Sequence, residues 1–401
     1  MAQDFPRTID EISDEWLSQT LGAKVASHDV KFLEGGVLSD AFKVALTYAG
    51  NAGDAPTSVV LKMAKTDPEE RGAALMTNSY TKELRFFEDL STDVPVTAPE
   101  LYASFSDGSA GSEFFLLVME DLTQHSRVFD QVNDPPDAEF ARKIAMEAAK
   151  LHAKYWDSPT TQLPWIGRPD GRYVFALDEL CKMGNATWAP FRGLWQQMYG
   201  SDIFGDEGDG PVEELTELLC GPKCAGIHDK IYDVLSSRPQ TVLHGDMRAD
   251  NVFRTNPAAG KSVEDSTITF IDWQVIHAGP PGPEFTEAWM HSLEPEVRRN
   301  DKQMLREYHD KLVELNPDAA AYTYEMLIED YMLSFCFWWT AIITLGVNTL
   351  QTFDKPEGAR MKALWGRGLV RAKIAMRDLD CLSLIKTLAA EVPDDATVAA
   401  G

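Results

Sequence analysis

Strand-like patterning in this chain is confined almost wholly to its first third, and that asymmetry limits the folds open to it. Between Val30 and about Lys65, Phe42, Val44 and Leu46 alternate with other residues, the run Gly50-Asn51-Ala52-Gly53-Asp54 interrupts, and Val59-Val60-Leu61-Lys62-Met63 resumes. Phe114 to Met119 is almost wholly apolar and reads as a buried strand. Ahead of these strands, Thr8 and Glu11 have capping-box spacing, Trp16, Leu17 and Leu21 supply an apolar helix face, and Gly22 stops it. Residues 69–90 read as helical, with Leu84, Phe86, Phe87 and Leu90 as apolar contacts. After Leu122, helical patterns cover about 137–156, 176–199, 211–219, 284–315, 319–349 and 357–388. Only short strand-like pieces interrupt them, near 241–243, 251–254 and 267–272. The Gly- and acid-rich stretch 200–210 reads as a loop and the tail from Val392 as frayed. The expected class is α+β, with a small β-rich N-terminal part (1–122, linker strand included) and a larger, mostly helical part (123–401).

Charge narrows the partners. The 37 basic and 63 acidic side chains leave a formal net charge of -26, which repels nucleic acid and anionic membrane. Neither is an expected partner. The first residues show no basic segment followed by an apolar one, so no signal peptide is expected. Five cysteines form no disulfide framework and fit a reducing cytoplasm. Tyr331 to Val347 carries no charge, but Ser334, Thr340 and Thr344 lie inside it and it is shorter than the roughly 20 apolar residues of a membrane span; a buried core helix is expected.

The chemistry concentrates in Val242-Leu243-His244-Gly245-Asp246-Met247-Arg248-Ala249-Asp250-Asn251, followed by Ile268-Thr269-Phe270-Ile271-Asp272-Trp273-Gln274. Phosphoryl transfer asks a protein to hold an acceptor oxygen in line and to neutralise charge on the phosphates. An Asp five residues before an Asn meets that need when the loop folds back. The carboxylate of Asp246 takes the acceptor proton, and Asn251 with Asp272 supplies oxygens to a hard cation such as Mg2+.

Asp246-x-x-x-x-Asn251 followed by Asp272 resembles the catalytic loop and metal-binding aspartate of protein-kinase-like folds. The form His-Gly-Asp with Asp-Trp-Gln is similar to aminoglycoside and choline kinases, and most similar to ecdysteroid-kinase-like phosphotransferases. Over roughly residues 25–350 the resemblance implies a bilobal protein-kinase-like fold, ATP and Mg2+ as cofactors, and a small-molecule hydroxyl as acceptor. It also implies roles for residues elsewhere. Lys62 looks like the lysine that meets the nucleotide phosphates, and Glu83 like the helix glutamate that pairs with it. Glu120-Asp121-Leu122 looks like the linker whose backbone holds adenine, with Glu120 and Leu122 at the base. Gly35, Gly36 and Ser39 stand where the phosphate loop is expected, although Gly35-Gly36-Val37-Leu38-Ser39-Asp40 lacks the Gly-x-Gly-x-x-Gly pattern. His152 reads as a packed structural residue. Glu284 stands where the family usually has Asp, which leaves open how the catalytic loop is braced. No Ala-Pro-Glu segment follows Asp272, which disfavours a protein substrate.

Cys220, Cys224 and His228 have the spacing of zinc ligands, but no fourth ligand stands near them and zinc is not expected. For the acceptor, Trp156, Trp165, Trp188, Phe191, Trp195 and Tyr199 favour a partly apolar alcohol. Asp206, Glu207, Asp209, Glu213, Glu214 and Glu217 favour a polycation such as an aminoglycoside. A catalytically silent nucleotide-binding protein is the alternative from a different class; retention of Lys62, Asp246, Asn251 and Asp272 together weighs against it.

Overall fold

Alternating side chains along a strand point to opposite faces, and that period of two organises the N-terminal sheet of this computed structural model. The structure describes residues 5–33, 36, 38–108, 113–167, 189–198, 210–255, 266–290, 292–350 and 359–393. Strands β1 (Val25–Leu33), β2 (Ser39–Tyr48), β3 (Ser58–Ala64), β4 (Leu101–Ser106) and β5 (Phe115–Glu120) form an antiparallel sheet in the order β1-β2-β3-β5-β4. One face carries Val44, Leu46, Val59, Leu61, Met63, Leu116 and Val118, and Phe5, Ile12 and Leu17 pack on it to complete a core. Lys62, between Leu61 and Met63, therefore points to the other face.

The first helix, α1 (Asp14–Leu21), starts later than the spacing of Thr8 and Glu11 predicts. Thr8 makes no side-chain cap and precedes only a short 3-10 turn, while the Trp16 N–H donates to Ser13 Oγ at 3.1 Å. Glu11 instead accepts from the Arg7 N–H. Gly22 ends the helix at φ 69°, a conformation open to residues without a Cβ. The helical stretch expected over 69–90 splits into α2 (Pro68–Met76) and α3 (Ser79–Arg85), divided at Asn78 with φ 55°, and a π turn over Phe86–Leu90 follows.

The remainder is mostly helical: α4 (Ala138–Lys154), α5 (Gly210–Leu219), α6 (Cys224–Ser237), α7 (Gly282–Met290), α8 (Asp301–Leu315), α9 (Tyr324–Leu350), α10 (Ala359–Asp378) and α11 (Cys381–Ala390). The stretches 284–315 and 357–388 are thus each broken; in the second, Asp380 at φ 57° separates α10 from α11. Several elements escaped the sequence reading, the short strands Ser126–Arg127 and His277–Gly279 among them. In β4 every residue is half-buried, so no alternation marks it. In α6, Ile227, Ile231 and Leu235 do recur at helical spacing and are buried. Residues 200–209, read as a loop, lie outside the described residues, as do most of 176–199 and the tail from 394.

Helix α9 is long and apolar enough to cross a membrane by length and composition, with mean hydropathy 1.3 over Tyr324–Ile343, yet 61% of that window is buried within the protein. Tyr331, Leu333, Phe335, Cys336 and Trp339 are fully buried. Its polar groups are satisfied from within: Asp330 takes Arg238 Nε at 3.0 Å and the Tyr322 hydroxyl at 2.7 Å.

The chain divides into two compact units. The first comprises Met1–Val128, Pro164–Ile166 and Asn251–Ile276; the second comprises Phe129–Leu163, Gly167–Asp250 and His277–Gly401.

Candidate active site

In the first unit, Lys62 on β3 is nearly buried and stands between two carboxylates. Its Nζ lies 2.7 Å from Glu83 Oε1 on α3 and 2.7 Å from Asp272 Oδ1. Burial by itself would lower the Lys62 pKa; the charges of Asp272 and Glu83 outweigh it, and the net shift is upward. Glu83 is 1% exposed, and burial pushes its carboxyl up to about 7, assisted by the charge of Asp272 and opposed by Lys62.

Asp272 is positioned by a second, smaller sheet. Strands β6 (Ser126–Arg127), β8 (Val252–Thr255) and β9 (Ile268–Phe270) pair antiparallel, with Val252 opposite Phe270. One step beyond, the Ile271 N–H donates to the Asn251 carbonyl at 3.0 Å, so Asn251 and Asp272 leave the same end of one ladder. The backbone then turns sharply: Asp272 has φ 67°, in the left-handed region that Asp tolerates better than most residues. Trp273 locks that turn. Its ring stacks on Phe86 with centroids 3.8 Å apart and planes 7° from parallel, its Nε1–H donates to the Phe270 carbonyl, and its N–H reaches the Glu83 carboxylate. No pattern in the sequence pointed to Phe86 as the partner of Trp273.

Of the other expected nucleotide-contacting residues, those described lie on or next to the strands that flank β3. Ser39 is buried at the start of β2, opposite Ala64. A Cβ on Gly36 would stand 2.2 Å from the Ser39 carbonyl oxygen, so no side chain fits there. Gly35 lies outside the described residues. Glu120 ends β5 opposite Val59, and Leu122 is buried in the turn beyond it. Asp121 between them shapes that turn, accepting from Ser58 Oγ at 2.5 Å and from Lys43 Nζ at 2.7 Å. Burial opposes ionisation of Asp121, but bonds from Lys43, Ser58 and Thr123 prevail and lower its pKa.

In the second unit, Asp246 comes after strand β7 (Thr241–Leu243), which pairs with β10 (His277–Gly279). The loop is held from below by Glu284 on α7. Its Oε2 accepts the His244 N–H at 2.7 Å and its Oε1 accepts the Gly245 N–H at 3.0 Å. Glu284 thus braces the loop despite its extra methylene relative to Asp. Gly282 makes room for this: a Cβ there would come within 2.6 Å of Asp330 Cβ on α9. Burial disfavours the charge on Glu284, but His152, His244 and His277 around it win, and its pKa is lowered. His152 is fully buried, with Nδ1 2.7 Å from the Tyr308 hydroxyl and Nε2 3.6 Å from Glu284. Gly245 itself has φ 86°, and the Asp246 N–H donates to His244 Nδ1 at 3.2 Å.

Among the described residues, no group of three His, Cys, Asp or Glu side chains is arranged to hold a metal, Cys220, Cys224 and His228 included. Burial pushes the Cys220 thiol up to about 12 and the His228 ring down to about 4, as an apolar core does.

Residues 204–373 match the model of a family described as DUF1679, uncharacterized oxidoreductase dhs-27, which is ecdysteroid-kinase-like. The stretch includes Asp246, Asn251 and Asp272, so the resemblance first read from those residues is supported there. No curated protein matches the chain. Solved structures similar to it include ethanolamine kinase of Plasmodium vivax, at 12% identity and TM-score 0.43, covering 90% of this chain and 84% of that one. A macrolide 2'-phosphotransferase type I is similar at 14% identity and TM-score 0.45, with 87% and 94% covered. A spectinomycin phosphotransferase in complex with ADP and spectinomycin is similar at 12% identity and TM-score 0.42, with 92% and 99% covered. Likenesses this distant say nothing of what this chain binds or turns over.

Proposed function

We propose that this chain is an ATP-dependent phosphotransferase that moves the γ-phosphate onto a hydroxyl of a small molecule. The observation that carries the reading is the Lys62–Glu83–Asp272 cluster, with Asn251 leaving the same ladder end as Asp272. A lysine placed between two carboxylates on a sheet face is suited to meet phosphate oxygens, with Glu83 holding its ammonium in place. Asn251 and Asp272 fit Mg2+, which takes one or two protein oxygens and fills its shell from phosphates and water. When bound, that ion neutralises charge on the transferring phosphates. Asp246 accepts the acceptor's proton, and the two N–H bonds to Glu284 keep its loop from drifting. Glu120 and Leu122 offer backbone groups to adenine, and Gly35, Gly36 and Ser39 are assigned to the phosphates.

The family description raises a second reading, an oxidoreductase. A dinucleotide-binding fold needs a parallel sheet with a Gly-x-Gly-x-x-Gly turn. Every pairing between the named strands described here is antiparallel, which weighs against it. For the acceptor, neither narrower class gains support. Phe191 and Trp195 are buried and stacked on each other, and Trp156 and Trp165 are buried too, which is how core aromatics behave; Trp188 and Tyr199 lie outside the described residues. Glu213 and Glu214 already pair with Arg192 and Lys386, and Asp206, Glu207 and Asp209 lie outside the described residues. The reading therefore stops at a small hydroxylated acceptor. Four described cysteines are free and buried, in keeping with a cytoplasmic enzyme.

A screen of hydroxylated metabolites and antibiotics, reading ADP release and product mass, tests the proposal. Asp246→Asn should lower turnover by about 10²–10⁴ with nucleotide binding retained. ATP binding without release for any acceptor would favour the silent protein, and oxidation of NADH or NADPH would favour the oxidoreductase. Turnover within a few-fold of wild type in the variant would remove Asp246 from the base role.

A further inference from the structure

Strand β1 stands at the edge of the five-stranded sheet, and among the described strands it pairs with β2 alone. An edge strand presents a row of backbone donors and acceptors, and proteins that keep such an edge solitary usually blunt it. This one is nine residues long, and two exposed apolar side chains stand among its polar ones. Val30 is 42% exposed and Phe32 is 48% exposed, and both extend the margin of the core face through their partners Val44 and Phe42. Asp29 and Lys31, exposed on either side of Val30, point to the opposite face, and neither makes an ion pair among the described residues. A register shift between Val25 and Ser27 marks one end of the regular stretch, which then runs to Leu33. Ser27 to Leu33 is centred on Val30.

We propose that β1 pairs antiparallel with β1 of a second copy of this chain, about a twofold axis through Val30. In that register Val30 meets Val30, each Phe32 meets His28 of the other copy, and each Asp29 meets Lys31 of the other copy. The Val30 pair and the two Phe32 rings, each laid against a His28 ring whose Nδ1 is held 2.6 Å from Asp14 Oδ1, extend one face, and two Asp–Lys pairs close the other. The charges also weigh against the two adjacent registers. Centring the pair on Asp29 or on Lys31 would set like charges directly opposite each other, which is destabilising. Such an interface is isologous, uses each β1 edge once, and closes at two copies. The inference is independent of the phosphotransferase reading, since no residue of β1 belongs to the Lys62 cluster or the Asp246 loop.

Sedimentation velocity of the full chain tests it, over concentrations up to about 100 μM in roughly 0.15 M salt. The wild type should form a reversible dimer. Asp29→Lys alone and Lys31→Asp alone should each weaken it by about tenfold or more, because each change sets like charges opposite at two symmetric places. The double exchange Asp29→Lys with Lys31→Asp restores opposite charges and should return the affinity to near wild type. Melting temperatures check that all three variants fold. A wild type that stays monomeric, single variants that dimerise like wild type, or a double exchange as weak as the singles would each overturn the proposal.

Discussion

Glu83 and Glu284 are both glutamates with 1% exposure, yet their surroundings drive them in opposite directions. Glu83 faces one lysine that it shares with Asp272, and a second carboxylate nearby adds to the cost of burial; its pKa rises to about 7. Glu284 takes two backbone N–H groups and lies among three histidines, so its pKa falls although burial opposes that. Burial therefore does not decide the charge of a carboxylate. The number and sign of the groups that meet it do. On the proposed function the contrast suits two tasks: one cluster would accept phosphates and a cation, and the other holds a loop still.

The largest expected effect comes from removing the carboxylate that makes the first cluster crowded. Asp272→Ala should abolish phosphoryl transfer and weaken the magnesium dependence of ATP binding, read by calorimetry with and without Mg2+. It should also relieve Glu83 of a like charge. Unchanged magnesium-dependent affinity would show that Asp272 is not a metal ligand.

Next in size is the loop brace. Glu284→Gln keeps the shape but sets an amide NH2 against one of two buried N–H groups. Leaving a buried donor unsatisfied costs about 1–3 kcal/mol, and loss of the charge near His152 adds to it, so a total of about 3 kcal/mol is expected in urea unfolding. Because the folded pKa of Glu284 lies below its ordinary value, its contribution is fully present above that value and is lost only in acid. Titration of Glu284 itself should therefore add no difference to the cost of Glu284→Gln between pH 6 and pH 8.

The smallest effect is a slope. Glu83 has a folded pKa raised above 4.5, so between about 4.5 and 7 the folded state holds a proton that the unfolded state has released. Its contribution is present below the unfolded pKa and is lost as pH rises through the folded one. Wild-type stability should thus fall between pH 5 and pH 7.5 relative to Glu83→Gln. Parallel urea midpoints for the two proteins across that range would break the contrast between the two glutamates.

Much of this molecule was legible because its signals are local. The alternation around Lys62 set its face, and the spacing of Asp246, Asn251 and Asp272 marked the chemistry, since strand period and loop length are properties of short segments. Helix α6 was missed although Ile227, Ile231 and Leu235 recur at helical spacing within Cys224–Ser237. What the sequence alone determined was which faces are apolar and which residues are candidates for the chemistry. Tertiary structure decided the partners. Lys62 meets a carboxylate 210 positions away, Phe86 finds Trp273, and Glu284 finds two N–H groups some 40 residues earlier. The same holds at the N-terminus, where Thr8 and Ser13 offer similar hydroxyls and only Ser13 caps. Such contacts depend on how separately specified elements pack, and packing energies act between residues that no sequence period connects.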